Sequence, residues 1–388
     1  MPSLRTLLKF LSPLLLVLLV EGLFRLGIWE PIAKPSSHAG SSIELKQALS
    51  ASDFAKIGLV TIGSSRPEFG IDHEQLTLDA AEHGINYANA SMPGTHWMTV
   101  GVLGRWLQRH HPEIQGGIVA LSIQDFSYAG NGDYELGIVT PLRTWHDTAE
   151  IKRSVAFNWH DVDTWGAYSS LFAWRGDVQD LLRHPKQRRK ALRSAAKRDP
   201  VAVLQENPTL DGDMCAIGVN DPAACETVAN SPDPTLQRLA GQCRQLNANG
   251  GQRQDLNRYP RDDRLPDSMR RARDLIRDRL RGLAWPQPPV VVLMPTTGIW
   301  KNHTLPKGQH DWALEILRPL VDDGTIRVVD GTDALDTEDG TDCRYFADFY
   351  HQNAAGREAF AEWLEPRLYP LLFGELTAID ASNDAASH

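Results

Sequence analysis

The stretch Thr61–Asp72 reads TIGSSRPEFGID and follows the apolar run Ile57-Gly58-Leu59-Val60. A short, continuous apolar run closed by turn residues reads as a strand buried in a parallel sheet. The chain leaves that strand through Gly63 and two serines. A glycine there lets the backbone turn away sharply and sets a hydroxyl at the carboxyl end of the strand, where α/β sheets place their ligands. An ordinary strand-to-loop exit has the same composition, so the surrounding sequence must decide between the two.

Outward from this turn, apolar runs and helical patterns alternate. Candidate strands follow at Ile85–Ala90, Gly117–Ile123, Pro289–Met294 and Ile326–Val329. Helical spacing of apolar residues marks Thr95–Arg109 through Trp97, Val100, Leu103 and Leu107, and similar patterns cover Ser268–Leu283, Gln309–Val321 and Ala354–Leu372. This rhythm predicts an α/β fold, a mostly parallel sheet covered by helices on both faces. Residues 51–130 and 266–374 carry it as two halves, and 131–265 interrupt them as an insertion or cap; 375–388 read as a flexible tail. The insertion holds DLLRHPKQRRKALRSAAKRD (Asp180–Asp199). That basic run reads either as a solvated helix face or as a contact for anionic lipid or polymer.

Composition narrows the function classes. With 388 residues, 42% hydrophobic and 23% charged, the chain has ordinary globular usage and can bury a large core. A net charge of -9 argues against general nucleic-acid binding, which needs a surplus of cations on some face. The four cysteines, Cys215, Cys225, Cys243 and Cys343, allow three disulfide connectivities that sequence does not choose among, although Cys215 with Cys225 would close a short loop. There is no C-x-x-C pair or His-Cys cluster, so neither a structural zinc site nor another metal or cofactor is expected.

The N-terminus differs in kind. Arg5 and Lys9 flank and interrupt LLKFLSPLLLVLLV, and Leu23–Trp29 extends the apolar tract toward a tilted span. Positive charge ahead of it predicts a signal anchor over 1–30, with the remainder exported across the cytoplasmic (inner) membrane into the periplasm. Cleavage near Ser37-His38-Ala39 is the competing reading. The segment 31–50, opening with PIAKPSSHAGSS, reads as a linker.

A second informative stretch is Asp348-Phe349-Tyr350-His351-Gln352-Asn353-Ala354-Ala355-Gly356, just ahead of an amphipathic helix. An Asp three residues before a His at such a boundary can orient the imidazole through one nitrogen and leave the other as a base. Gly63-Ser64-Ser65 supplies the nucleophile that base requires. Together these motifs resemble those of the SGNH (GDSL-type) hydrolases, whose turn after the first strand reads Gly-Asp-Ser and whose Asp-x-x-His lies near the C-terminus. Ser64 stands where that family has Asp, as in its membrane-anchored branch. The resemblance covers roughly residues 55–130 and 285–370.

That resemblance implies a three-layer, flavodoxin-like sheet with Ser65 as nucleophile, His351 as general base and Asp348 as orienting acid. It further implies an oxyanion hole from the Ser65 and Gly94 backbone N–H groups and the Gln124 side chain, Gln124 replacing the family's Asn. Arg66 and His96 are candidate substrate contacts, with a surface salt bridge and a partly buried aromatic pair as their plainer readings; His110, His111 and His310 show no partner in the sequence. The implied activity is acyl transfer or ester hydrolysis on a cell-envelope polysaccharide, beside a membrane-bound O-acyltransferase. A catalytically inactive scaffold that binds glycan, and a lipid-binding protein using the basic insertion, are the rival classes.

Overall fold

The computed structural model describes residues 4–51, 56–127, 132–155, 158–199, 201–219, 221–233, 236–250, 265–338 and 340–374. The expected tail, 375–388, lies outside them. Five strands form one parallel sheet: β1 (Ile57–Gly63), β2 (Asn86–Asn89), β3 (Gly116–Leu121), β4 (Val290–Leu293) and β5 (Arg327–Asp330), in the order β2-β1-β3-β4-β5. All five expected strands are present. β3 and β4 are buried at every residue, which is why they read as unbroken apolar runs.

In chain order the helices are α1 (Leu4–Arg25), α2 (His38–Leu49), α3 (Ser65–Gly70), α4 (His73–Glu82), α5 (Trp97–His110), α6 (Gly132–Val139), α7 (Thr148–Val155) and α8 (Ser170–Arg183). They continue with α9 (Pro185–Ala195), α10 (Ala202–Gln205), α11 (Pro222–Ala229), α12 (Gln237–Gly250), α13 (Asp267–Arg281), α14 (Gly298–Thr304), α15 (Gln309–Asp322) and α16 (Ala354–Leu372). α5 packs on α13 and α13 on α15, while α16 packs against α3, β4 and β5; the right-handed rule for parallel crossovers puts α4 and α5 on opposite faces of the sheet. The strand order reverses between β1 and β3, which opens a crevice at their carboxyl ends.

Two expectations for the N-terminal region change. Among the described residues no helix is long and apolar enough to cross a membrane. The expected extension through Trp29 does not form, because α1 stops at Arg25 and Gly27 turns the chain at φ 78°. Phe24 and Trp29 then stack on each other, ring centroids 5.3 Å apart, and pack with Ala33, Ile43 and Trp174. The stretch 31–50 is not simply a linker either. Ser37 caps α2 by accepting from the Gly40 N–H at 3.0 Å, and α2 buries Ile43, Leu45, Ala48 and Leu49. Its small residues pack rather than flex.

The insertion is mostly helical where described and bonded to both halves. Cys215 pairs with Cys343, and Cys225 with Cys243, so the short loop from Cys215 to Cys225 is not closed. The first bridge fastens the insertion to the segment before Asp348, and the second joins α11 to α12. The basic run is not wholly solvated. Arg188 is buried and bonds Asp177, Asp180 and the Ile32 carbonyl oxygen at 2.7–3.1 Å.

Candidate active site

The turn after β1 is held by packing that leaves no room. A side chain at Gly63 would place its Cβ 2.3 Å from Pro67 Cγ and 2.5 Å from the Ala120 carbonyl oxygen on neighbouring β3. Ser64 then caps α3, its hydroxyl accepting from the Arg66 N–H at 3.4 Å. Ser65 is therefore the first residue of α3 and only partly buried. Below α3, His73 is fully buried between the Tyr87 hydroxyl at 2.7 Å and the Pro67 carbonyl oxygen at 3.0 Å. Burial pushes its imidazole down to about 4, so it stays neutral and acts as a fixed polar peg.

Ser65 Oγ lies 2.7 Å from His351 Nε2, across 286 residues of sequence. His351 Nδ1 in turn lies 2.8 Å from Asp348 Oδ2. Asp348 Oδ1 accepts from the backbone N–H groups of His351 and Tyr350, at 3.0 and 3.2 Å. Burial alone would raise this carboxyl, yet its bond to His351, the imidazole charge, the Tyr350 N–H and the Gln242 side chain together hold it below the ordinary carboxylate range. The three residues form one hydrogen-bonded line at the carboxyl edge of the sheet. A line of this kind lets an imidazole accept the hydroxyl proton while the carboxylate fixes its tautomer.

The segment carrying Asp348 and His351 has no regular secondary structure of its own, and neighbours secure it. The Phe349 carbonyl oxygen accepts from Thr297 N and Oγ1 at 3.0 and 2.9 Å, and the Phe349 N–H donates to Gln242 Oε1 at 3.0 Å. Asn353 caps α16 through the Gly356 N–H at 2.9 Å and also donates to the Gly212 and Arg344 carbonyl oxygens. Tyr350 and Phe69 pack against the His351 ring at 4.7 and 5.7 Å between centroids. Gln242 comes from α12 of the insertion, and sequence reading missed it; nothing in its local sequence distinguishes it.

The other two expected oxyanion donors, Gly94 and Gln124, lie on the loops that follow β2 and β3. Gly94 is the third residue of a turn closed by Thr95 N–H to the Met92 carbonyl oxygen at 3.1 Å, with Pro93 before it and φ 80° at the glycine. Only glycine adopts that geometry comfortably. The Met92 N–H bonds the Gly63 carbonyl oxygen at 2.9 Å, which fastens this loop beside the Ser65 turn. Gln124 follows β3 in the short 3-10 turn Ile123–Phe126. Its Oε1 accepts from Trp300 Nε1 at 2.7 Å, an arrangement that orients the amide and presents its N–H2 group as the donor end. Trp300 also stacks on Phe349 and meets Tyr350, linking Gln124 to the His351 segment.

Arg66 is not a surface residue. It is buried, its Nη1 pairs with Asp125 Oδ2 at 2.8 Å, and its guanidinium lies 4.8 Å from the Tyr350 ring centroid. A buried cation needs such a partner. His96 faces the other oxygen, Asp125 Oδ1, at 3.1 Å. Burial would raise Asp125, but the charges of Arg66 and His96 hold it at about 2. Burial would likewise lower His96, but the bond and charge of Asp125 and the charge of Glu135 raise it. Asp125 closes a capping box with Ser122, a Ser-x-x-Asp pattern visible in the sequence. His110, His111 and His310, for which the sequence offered no partner, bond the Trp106 carbonyl oxygen, Glu113 and Asp330.

Glu68, one turn along α3 from Ser65, has an Oε2 that is buried without a hydrogen-bond partner, and burial pushes its carboxyl up to about 8. It is a protonated acid at neutral pH. Among the described residues no group of His, Cys, Asp and Glu suited to a metal ion occurs. No protein-family model matches the chain, and no curated protein matches it in sequence.

Proposed function

We propose that the protein is an SGNH-type serine acyltransferase or esterase, acting on ester-linked acyl groups of a cell-envelope glycan through an acyl-serine intermediate. The observation that carries this reading is the continuous line Ser65 Oγ–His351 Nε2, His351 Nδ1–Asp348, set at the switch point of a parallel sheet.

In the first half-reaction His351 Nε2 takes the hydroxyl proton as Ser65 Oγ bonds to the ester carbonyl carbon. The N–H groups of Ser65 and Gly94 and the Gln124 amide stabilise the resulting oxyanion. Collapse breaks the carbon–oxygen bond to the leaving alcohol, which receives the proton from His351. In the second half-reaction His351 takes a proton from water or from an acceptor hydroxyl, whose oxygen attacks the acyl carbon. Ser65 leaves with that proton, and the products are an acid or a new ester. The choice between water and a sugar hydroxyl lies outside the triad. An O-acetyl group is the proposed acyl unit, and a membrane-bound O-acyltransferase its proposed supplier.

The proposed compartment is the extracytoplasmic side of the inner membrane. Two disulfides that use all four cysteines suit an oxidising environment. The test is hydrolysis of a chromogenic acetyl ester, and acylation of exported polymer, by Ser65→Ala and His351→Ala. Loss of both activities in both variants is expected. Wild-type activity in either would contradict the reading and leave a glycan-binding scaffold in its place.

A further inference from the structure

Beyond the triad, one continuous surface collects the exposed apolar and cationic residues that acyl transfer does not use. It begins at α1. Residues 12–19 are all exposed, more than two turns of helix, so every side of that segment is uncovered, and Leu14–Leu19 are each 55–60% exposed. A helix apolar on all its faces belongs in an apolar medium.

α1 is not a loose tether. Glu21 accepts from the Ser170 and Leu171 N–H groups at the start of α8, at 2.8 and 3.1 Å, and from the Ser169 hydroxyl. Arg25 pairs with Glu21, donates to the Tyr168 carbonyl oxygen and lies over the Trp145 ring. Farther along α8, Asp177 accepts from Trp29 Nε1 and Lys34 N, and Arg188 joins Asp177 to the Ile32 carbonyl oxygen. The exposed leucine segment is thus fixed in direction relative to α8 and α9.

Around the α1–α8 junction lies a group of exposed aromatics. Trp145 is 66% and Trp159 68% exposed; Trp159 meets Trp165 at 5.2 Å, and Trp165 meets Phe172 at 5.8 Å between ring centroids. From Phe172 an exposed stripe runs along α8 through Gly176 and Gln179 to Leu182, which is 76% exposed. The stripe ends at the basic helix α9. Arg183, Lys186, Arg189, Lys190, Arg193 and Lys197 are exposed there, and no acidic residue occurs between Arg183 and Arg198. Among the described residues of this aromatic group the exposed acid is Asp161.

We infer that this face, from Trp145 and Trp159 through Phe172 and Leu182 to α9, lies flat on a lipid bilayer rich in anionic headgroups. Exposed tryptophans suit the interfacial zone and a cationic helix suits anionic headgroups, while α1 buries its leucines in the same bilayer. The contact would hold the Ser65 crevice in a fixed orientation to the membrane surface. It builds on the membrane placement proposed above and is independent of the chemistry at Ser65.

All four native cysteines are paired, so an introduced thiol takes a spin label alone. The full chain, reconstituted in vesicles of phosphatidylcholine with phosphatidylglycerol, is labelled in separate variants Trp159→Cys, Phe172→Cys, Leu182→Cys and Lys186→Cys. Glu362→Cys on α16 is the exposed reference, and Leu16→Cys reports α1. Labels at 159, 172 and 182 are expected to be severalfold less accessible to an aqueous nickel relaxer than at 362, and more accessible to oxygen. The label at 186 should regain aqueous access when phosphatidylglycerol is omitted. Nickel accessibility at 159, 172 and 182 equal to that at 362, with Leu16 in lipid, would overturn the docking face alone. Leu16 in water would overturn the membrane placement with it. Protection from nickel without a gain in oxygen accessibility would mean that protein covers this face, and would also overturn the inference. Retained ester hydrolysis in these variants keeps either failure distinct from failure of the catalytic reading.

Discussion

The two ends of the Ser65–His351 bond are held by different means. Ser65 sits on a strand-to-helix turn whose form follows from its own sequence: Gly63 lets Pro67 and β3 close in, Ser64 caps α3, and His73 pegs the turn from beneath. Asp348 and His351 sit on a segment that neighbours hold in place: Thr297 from the N-cap of α14, Gln242 from the insertion, and the Cys215–Cys343 bridge. A hydroxyl can be placed by its local sequence, whereas the imidazole that faces it must be brought to it. The insertion therefore belongs to the site as much as the sheet does.

That contrast can be broken at either end. The largest effect is expected at the bond itself: His351→Ala should lower kcat for ester hydrolysis by roughly 10⁴-fold with little change in KM, measured by steady-state kinetics. At the Ser65 end, Gly63→Ala forces a Cβ against backbone and ring atoms. It should destabilise the fold by about 1–3 kcal/mol, read by denaturant unfolding, and lower kcat together with stability.

At the other end, Gln242→Ala removes the acceptor of the Phe349 N–H and a partner of Asp348. About 1 kcal/mol of orientation should appear as a several-fold fall in kcat with KM and unfolding midpoint nearly unchanged; an equal fall in stability would assign Gln242 to packing instead. Reducing the disulfides should raise amide exchange in residues 341–353 and leave 57–70 protected. The smallest effect concerns pH. A carboxyl whose folded value is raised binds a proton more tightly in the native state, so Glu68 favours folding at low pH. That contribution is lost as pH rises from about 4.5 to about 8. Glu68→Gln should flatten the decline, as measured by unfolding across that window.

The sheet was legible because its central strands are buried on both faces and so read as unbroken apolar runs. The line Ser65–His351–Asp348 was legible because each of its halves is a local motif at an element boundary. What was not legible depends on contacts distant in sequence. Arg66, beside a candidate nucleophile, suggested a substrate contact, but its partner Asp125 lies 59 residues away. Gln242 meets Phe349 across 107 residues, with no signal in its surroundings. α2 was hidden by a Pro, Ser and Gly composition that usually marks linkers. Its Gly40 is required because a Cβ there would lie 2.3 Å from the Lys34 carbonyl oxygen.

The central claim, that His351 activates Ser65 as a nucleophile, is tested most directly by a serine-directed fluorophosphonate. Peptide mass spectrometry locates the adduct on the full chain. The account predicts rapid phosphonylation of Ser65 in the wild type, and labelling slowed by orders of magnitude in His351→Ala. An unlabelled Ser65 in the folded wild-type protein, or equal labelling rates in the two, would contradict it.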